Sequence, residues 1–140
     1  KIEVEASKIG SPEIYFGSAR NTYLANGDAG VSGLQNLTIP TNTKPNSLYL
    51  GGSWSITSEY AENTGDGSVV FKYKAKNVYM VANSLLGANL EVYVDGKLNK
   101  TLFIKDEVLY KLVEGADYAE HTLMLIIKKP GVEIFTFTFG

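Results

Sequence analysis

The segment VVFKYKAK, residues 69–76, decides the fold class of this chain. Its apolar and aromatic side chains occupy every second position: Val69, Phe71, Tyr73 and Ala75 alternate with Val70, Lys72, Lys74 and Lys76. Successive side chains of a β-strand point to opposite faces of a sheet. This spacing therefore predicts a strand with one buried face and one solvated face.

The same two-residue period recurs along the chain. It is clear in segments 90–94, 123–127 and 132–139, and shorter runs lie at Glu13–Phe16, Ser47–Leu50, Trp54–Ser58, Val78–Ala82 and Val108–Val113. Turn-forming clusters, including Gly51-Gly52 and residues 64–67, separate these runs, whereas no stretch of a dozen residues has a helical period. Many short strands without crossover helices predict an all-β fold, an antiparallel β-sandwich of the jelly-roll type.

Two further features of the pattern concern loops and core. Residues 26–46 are rich in Gly, Asn, Thr and Pro and form the longest stretch with few strand signals. At the other end of the chain, Phe135, Phe137 and Phe139 share one face of a regular strand. We therefore expect all three rings in the core.

The composition limits the classes of function. The chain has 140 residues, a formal net charge of -2, one histidine and no cysteine. Without cysteine this segment carries no disulfide, thiolate metal site or dithiol redox chemistry. Nucleic acid is not expected as a partner because clustered Lys and Arg are missing. Membrane insertion by this segment is not expected either, because no run of about 18 apolar residues occurs.

Catalytic and metal-binding motifs are weak. His121 lies at the entry of an apolar strand, and no Gly-x-Ser-x-Gly nucleophile motif accompanies it, so we expect it to make a structural hydrogen bond. Glu62, Asn63 and Asp66 offer the oxygen ligands that Ca²⁺ prefers, but they are too few to predict a site. The sequence thus predicts no catalytic residue, no metal and no cofactor.

Trp54 is the most informative aromatic residue. It follows Gly51-Gly52-Ser53 and opens a strand, and an aromatic ring at a loop edge can stack on the apolar face of a sugar. The alternative is a buried core anchor, as single tryptophans in β-sandwiches often are. Both alternatives stay open from the sequence alone.

The motif SPEIYFG at residues 11–17, followed by Arg20, resembles the opening of a known domain. It is similar to the C-terminal domain of DipZ-type proteins, which are bacterial thioredoxin-like membrane proteins related to cytochrome c biogenesis. The similarity continues through short motifs at 50–54, 70–76, 94–96, 109–113, 130–133 and 137–140.

The resemblance implies a galactose-binding-like β-sandwich, similar to carbohydrate-binding modules, over residues 11–140. Residues 1–10 would then be the tail of a linker from an upstream thioredoxin-like domain, which would carry the redox chemistry. The implied setting is the extracytoplasmic or periplasmic side of a bacterial membrane.

Two functional hypotheses follow. In the first, the domain is a non-catalytic carbohydrate-binding module that tethers or orients the redox domain near a glycan or cell-wall polysaccharide. Its candidate binding residues are the platforms Trp54 and Tyr15, the hydroxyl partners Glu13 and Arg20, and the additional candidates Tyr110 and Lys74. In the second, it is a structural or protein-interaction domain that packs on the thioredoxin-like domain or on a client protein. Glu13 and Arg20 could equally form an internal ion pair.

Overall fold

The computed structural model describes residues 7–140, which form ten β-strands. The strands are β1 (Ile14–Tyr15), β2 (Gly33–Leu37), β3 (Leu48–Ile56), β4 (Ala61–Lys74), β5 (Asn77–Ser84), β6 (Ala88–Val94), β7 (Lys97–Ile104), β8 (Val108–Glu114), β9 (Glu120–Ile127) and β10 (Val132–Phe139). All pairings between these strands are antiparallel.

The long strand β4 joins the two layers of the fold. It pairs with β3 on one side and with β9 on the other, whereas its first residues, Ala61 and Glu62, pair with β10. The strand order is β7-β6-β9-β4-β10-β5-β8, with β2 beside β3 and β1 beside β10. The two outer strands of this path approach each other, and the Lys100 ammonium donates to the Lys111 carbonyl at 3.4 Å. The predicted antiparallel β-sandwich is confirmed.

The alternating pattern of residues 69–76 places the core as predicted. Val69, Phe71 and Tyr73 are at most 1% exposed, because they face the space between the layers. Phe71 and Phe137 pack edge to face with ring centroids 6.2 Å apart, across the interior.

Some boundaries differ from the sequence prediction. Gly51-Gly52 and residues 64–67, which predict turns, lie inside β3 and β4, and β2 lies within the segment 26–46. The reason for the glycines is packing: a Cβ on Gly67 would lie 3.0 Å from Cζ2 of Trp54. Gly52, with φ of +94°, sits beside a β-bulge. These glycines therefore accommodate a close approach within strands instead of ending them.

The N-terminal segment is tied to the domain where the structure describes it. The Gly10 amide donates to the Lys74 carbonyl at 2.8 Å, and Ile9 packs against the core. Residues 1–6 of the predicted linker lie outside the described residues. Within residues 7–140, no helix is long and apolar enough to cross a bilayer.

Candidate functional site

An open groove lies at the end of the sandwich where β3 and β5 finish and β10 begins. Its volume is about 530 Å³, and its lining combines two aromatic rings, one cation and two carboxylates with small residues: Tyr15, Gly17, Ala19, Arg20, Ser58, Glu59, Glu107, Phe135 and Thr136. We call it the Tyr15 groove. Two of the residues predicted from the sequence, Tyr15 and Arg20, thus line the same surface.

Arg20 stacks on Tyr15. The guanidinium carbon lies 4.8 Å from the centre of the tyrosine ring, within the range of a cation–π contact. No described residue accepts a hydrogen bond from the Arg20 side chain or pairs with its charge. Its planar array of donors is therefore held in place by the ring and remains available to a ligand.

Glu13 supports the other side of Tyr15. Its carboxylate accepts from the Tyr15 hydroxyl at 3.4 Å and from the Thr138 hydroxyl at 3.4 Å. Among residues 7–140 there is no Glu13–Arg20 ion pair, so the internal ion pair that the sequence left open is absent. Glu13 positions the tyrosine and does not line the groove.

Phe135 forms part of the groove because β10 contains a β-bulge. Ile134 pairs with Ala82 and Thr136 pairs with the next residue along, Val81, which leaves Phe135 as the extra residue. Phe135 and Thr136 consequently both line the groove, whereas the flanking Ile134 and Phe137 are fully buried. The prediction of a core position was therefore wrong for Phe135 and right for Phe137.

A half-buried tyrosine extends the aromatic surface beside the groove. The Tyr60 and Phe135 rings lie 5.4 Å apart. The negative charge of Glu133, followed by burial, raises the pKa of Tyr60. Burial and then the charge of Glu133 raise the pKa of Glu62. Both shifts have Glu133 among their causes, and Glu133 is the strand partner of Glu62.

Trp54 does not belong to the site. Its side chain is 0% exposed, and its indole N–H donates to the Gly51 carbonyl at 2.8 Å. A sugar needs an accessible ring face, and this ring has none. The interpretation of Trp54 as a sugar platform is corrected, and the core alternative describes it.

Two other candidates are also placed elsewhere. The Tyr110 hydroxyl accepts from the Lys105 amide at 3.0 Å and donates to the Asp106 carbonyl at 2.6 Å, which closes the β7–β8 turn. Lys74 is exposed at the last residue of β4, the opposite end from the groove, where its stem packs against Gly10. Neither side chain lines the Tyr15 groove.

His121 lies at that opposite end, between two carboxylates. Its Nδ1 is 2.6 Å from Asp95 and its Nε2 is 2.9 Å from Asp117. The hydrogen bond to Asp117 and then that to Asp95 raise the pKa of His121, so the doubly protonated ring is favoured. The cluster joins the β6–β7 turn to the start of β9, as a structural hydrogen-bonding role predicts.

The loop oxygens considered for calcium have other partners. The Asn63 amide nitrogen donates to the Gly65 and Lys129 carbonyls, and its oxygen accepts from the Val132 amide. Across the described part of the chain, no group of three or more His, Asp or Glu side chains could hold a metal ion.

A second shallow cavity of about 410 Å³ lies on the outer face of the opposite layer. Aliphatic side chains and glycines dominate its lining, which includes Leu37, Ile39, Gly51, Gly52, Gly67 and Ile126. It contains no aromatic ring, so it lacks the platform that the Tyr15 groove has.

The fold and the groove define an antiparallel β-sandwich domain with an aromatic surface site at one end. The chain belongs to the family described as thioredoxin-like C-terminal domain, whose sequence model matches residues 11–140. No curated protein sequence matches the chain.

Among solved structures, the chain is similar to a family two carbohydrate esterase from Clostridium thermocellum in complex with cellohexaose. The TM-score is 0.54 at 18% identity, over 59% of this chain and 27% of that chain. An active-site mutant of such an esterase gives the same values. A family 35 carbohydrate-binding module from the same organism gives a TM-score of 0.40 at 9% identity, over 92% of this chain and 99% of that chain. The esterase likeness concerns the fold, and the match spans about a quarter of the esterase chain.

The sequence analysis missed the two carboxylates and the second aromatic ring of the groove. Glu59 and Glu107 lie in turns, where carboxylates are typical of solvated charge, and nothing in their local sequence distinguishes them. Phe135 was assigned to the wrong environment because the alternation was taken to be regular through the bulge. The available signal was a change of phase in β10, since the apolar residues Val132 and Ile134 lie at even positions and Phe137 and Phe139 lie at odd ones.

Proposed function

We propose that this domain is a non-catalytic carbohydrate-binding module of a bacterial thioredoxin-like protein, and that the Tyr15 groove is its binding site. In its full-length context, which we propose to be of the DipZ type, it would hold a redox domain near a glycan on the extracytoplasmic side. The redox chemistry would reside in the upstream domain.

The stacked Arg20–Tyr15 pair is the observation on which this proposal depends. Sugar sites combine a rigid ring, which covers the apolar face of a pyranose, with donors fixed toward its hydroxyl groups. Tyr15 supplies the ring, and Arg20 supplies donors without a described intramolecular acceptor. Phe135 provides a second apolar surface across the groove.

Cellohexaose is a suitable first probe, because the esterase with a similar fold was solved with that neutral sugar. We expect Tyr15→Ala to weaken binding about tenfold in calorimetric titration, on the scale of the roughly 1–3 kcal/mol that the stacking of a nucleobase on one aromatic side chain contributes.

Tyr93→Ala is the matched control. Tyr93 is also a half-buried strand tyrosine, and its hydroxyl donates to the carboxylate two residues earlier, Glu91, at 3.5 Å. It lies on β6, in the opposite layer. Loss of binding with Tyr93→Ala and not with Tyr15→Ala would place the ligand on the other face and refute the site.

The alternative function is a protein-interaction domain. Exposed apolar side chains at the β5–β6 turn favour it, since Leu85 is 88% and Leu86 is 77% exposed. If no oligosaccharide binds, but the upstream thioredoxin-like domain binds and Leu86→Ser weakens that association, the interaction function replaces the glycan function.

A further inference from the structure

The charges around the Tyr15 groove have one dominant sign. Glu59 and Glu107 line it, and the only cation in its lining is Arg20. Beyond the lining, Glu13 lies behind the tyrosine, and Glu133 lies close enough to Tyr60 and Glu62 to perturb both. The carboxylates of the lining therefore outnumber its one cation, an excess that favours positively charged ligands.

Neither lining carboxylate is neutralised by a cation within residues 7–140. Glu107 accepts from the Asn83 amide at 3.1 Å, which fixes its position without changing its charge. Glu59 is exposed in the β3–β4 turn, and Arg20 is oriented by Tyr15 and not by either carboxylate. Glu107 thus faces a ligand as a positioned acceptor, and Glu59 as an exposed one, for charge-assisted hydrogen bonds.

A further cavity, of about 500 Å³ and distinct from the shallow cavity on the opposite layer, adjoins the groove at Glu107. It is lined by Asn83, Ser84, Leu85, Lys105, Asp106, Glu107 and Glu133. Because both cavities share Glu107, the surface continues past a single sugar, which suits an oligomer. The added section also holds more carboxylates than cations.

We infer that the Tyr15 groove takes an oligosaccharide of amino sugars, such as β-1,4-linked glucosamine with protonated amines, in preference to a neutral oligomer, and that it rejects oligomers of uronic acids. This inference rests on the proposed function and specifies its substrate class. Tyr15 would stack on the ring of a sugar, and Glu59 and Glu107 would accept from its ammonium groups.

Three hexamers test the inference by calorimetry: cellohexaose, the glucosamine hexamer and a hexamer of β-1,4-linked glucuronate. Relative to cellohexaose, the second carries an amine in place of one hydroxyl of each sugar, and the third carries a carboxylate in place of one hydroxymethyl group. The titrations use a pH of about 5.5, which lies above the ordinary pKa of a carboxyl group and below that of an amine. We expect the glucosamine hexamer to bind about 3- to 10-fold more tightly than cellohexaose, because two exposed ion pairs each contribute modestly. The glucuronate hexamer should bind most weakly.

The double variant Glu59→Gln with Glu107→Gln should abolish the preference, so that the ratio of the affinities for the glucosamine hexamer and for cellohexaose falls to about one. Glutamine can still accept from Asn83, so the groove keeps its shape. The control is Glu114→Gln with Glu120→Gln, which changes the net charge equally at the end of β8 and the start of β9. A preference that persists in the groove variant, or falls equally in the control, would overturn the inference.

The possible failures are distinguishable. Equal affinity for cellohexaose and the glucosamine hexamer, or tightest binding of the glucuronate hexamer, refutes the charge selectivity while the glycan function stands. Absence of binding to all three hexamers refutes the proposed function itself.

Discussion

Two regions at opposite ends of the molecule each place a cationic side chain among carboxylates, with different results. At one end, both ring nitrogens of His121 contact carboxylates, Asp95 at 2.6 Å and Asp117 at 2.9 Å. At the other end, Arg20 lies over Tyr15 in the groove and has no described intramolecular acceptor. The comparison separates a cation that stabilises the fold from one that is free to bind a ligand.

The largest expected effect concerns Arg20. Arg20→Ala should weaken cellohexaose binding about tenfold. The free energy of unfolding of the variant should differ from that of the original protein by less than about 0.5 kcal/mol. Arg20→Lys should recover little affinity, because lysine lacks the planar fork and stacks poorly on tyrosine. Calorimetry and urea denaturation measure the two quantities. A large loss of stability with unchanged affinity would assign Arg20 to the same structural class as His121.

The next effect is a pH dependence at His121. Its folded pKa is raised above the ordinary value of 6.5, so its contribution is fully present below that pH and is lost as pH rises through the folded pKa. We expect a loss of about 0.5–1 kcal/mol between pH 6 and pH 9, a small value because water screens both pairs. Urea denaturation across this range measures it.

His121→Gln is the control for that dependence. Glutamine cannot titrate, so the variant should lose stability at pH 6 and show a flatter profile toward pH 9. Equal slopes in the two proteins would contradict the role of His121. Burial tends to raise the pKa of Asp95, but the hydrogen bond from the Thr122 amide and the contact with His121 outweigh burial, so this pKa is lowered. The contribution of Asp95 to stability is therefore lost only as pH falls through its lowered pKa.

The smallest effect is at the groove end. Burial and the charge of Glu133 raise the pKa of Glu62, so its ionised form is disfavoured in the folded state at neutral pH. Glu62→Gln should therefore stabilise the protein by about 0.3 kcal/mol at pH 7, and this gain should vanish as pH falls through the raised pKa. A destabilised variant in thermal unfolding at pH 7 would show that the carboxylate has an attractive partner.

The sequence contains more information about the layers than about the site. The alternation at residues 69–76 predicts the inner face of β4 correctly, because burial alone determines it. Tyr15 and Arg20 were predicted from a family resemblance, and the structure places them together. Trp54 was ambiguous, because the glycine that makes room for its ring, Gly67, lies thirteen positions away on another strand. Whether an aromatic residue such as Trp54 is buried depends on which distant strand pairs with its own, and the local sequence pattern does not specify that pairing.

The bulge at Phe135 also determines which changes the gene can tolerate in β10. The extra residue resets the inward–outward phase, so that Phe137 returns to the interior after two successive groove-facing positions. An in-frame loss of this one codon would leave a regular ladder in which Thr136 faces outward and Phe137 still faces inward, so the loss, like an exchange of the codon, would alter the groove and spare the core. Phe135 is therefore a position of β10 at which a residue can be exchanged or lost without moving the core side chains on either side of it.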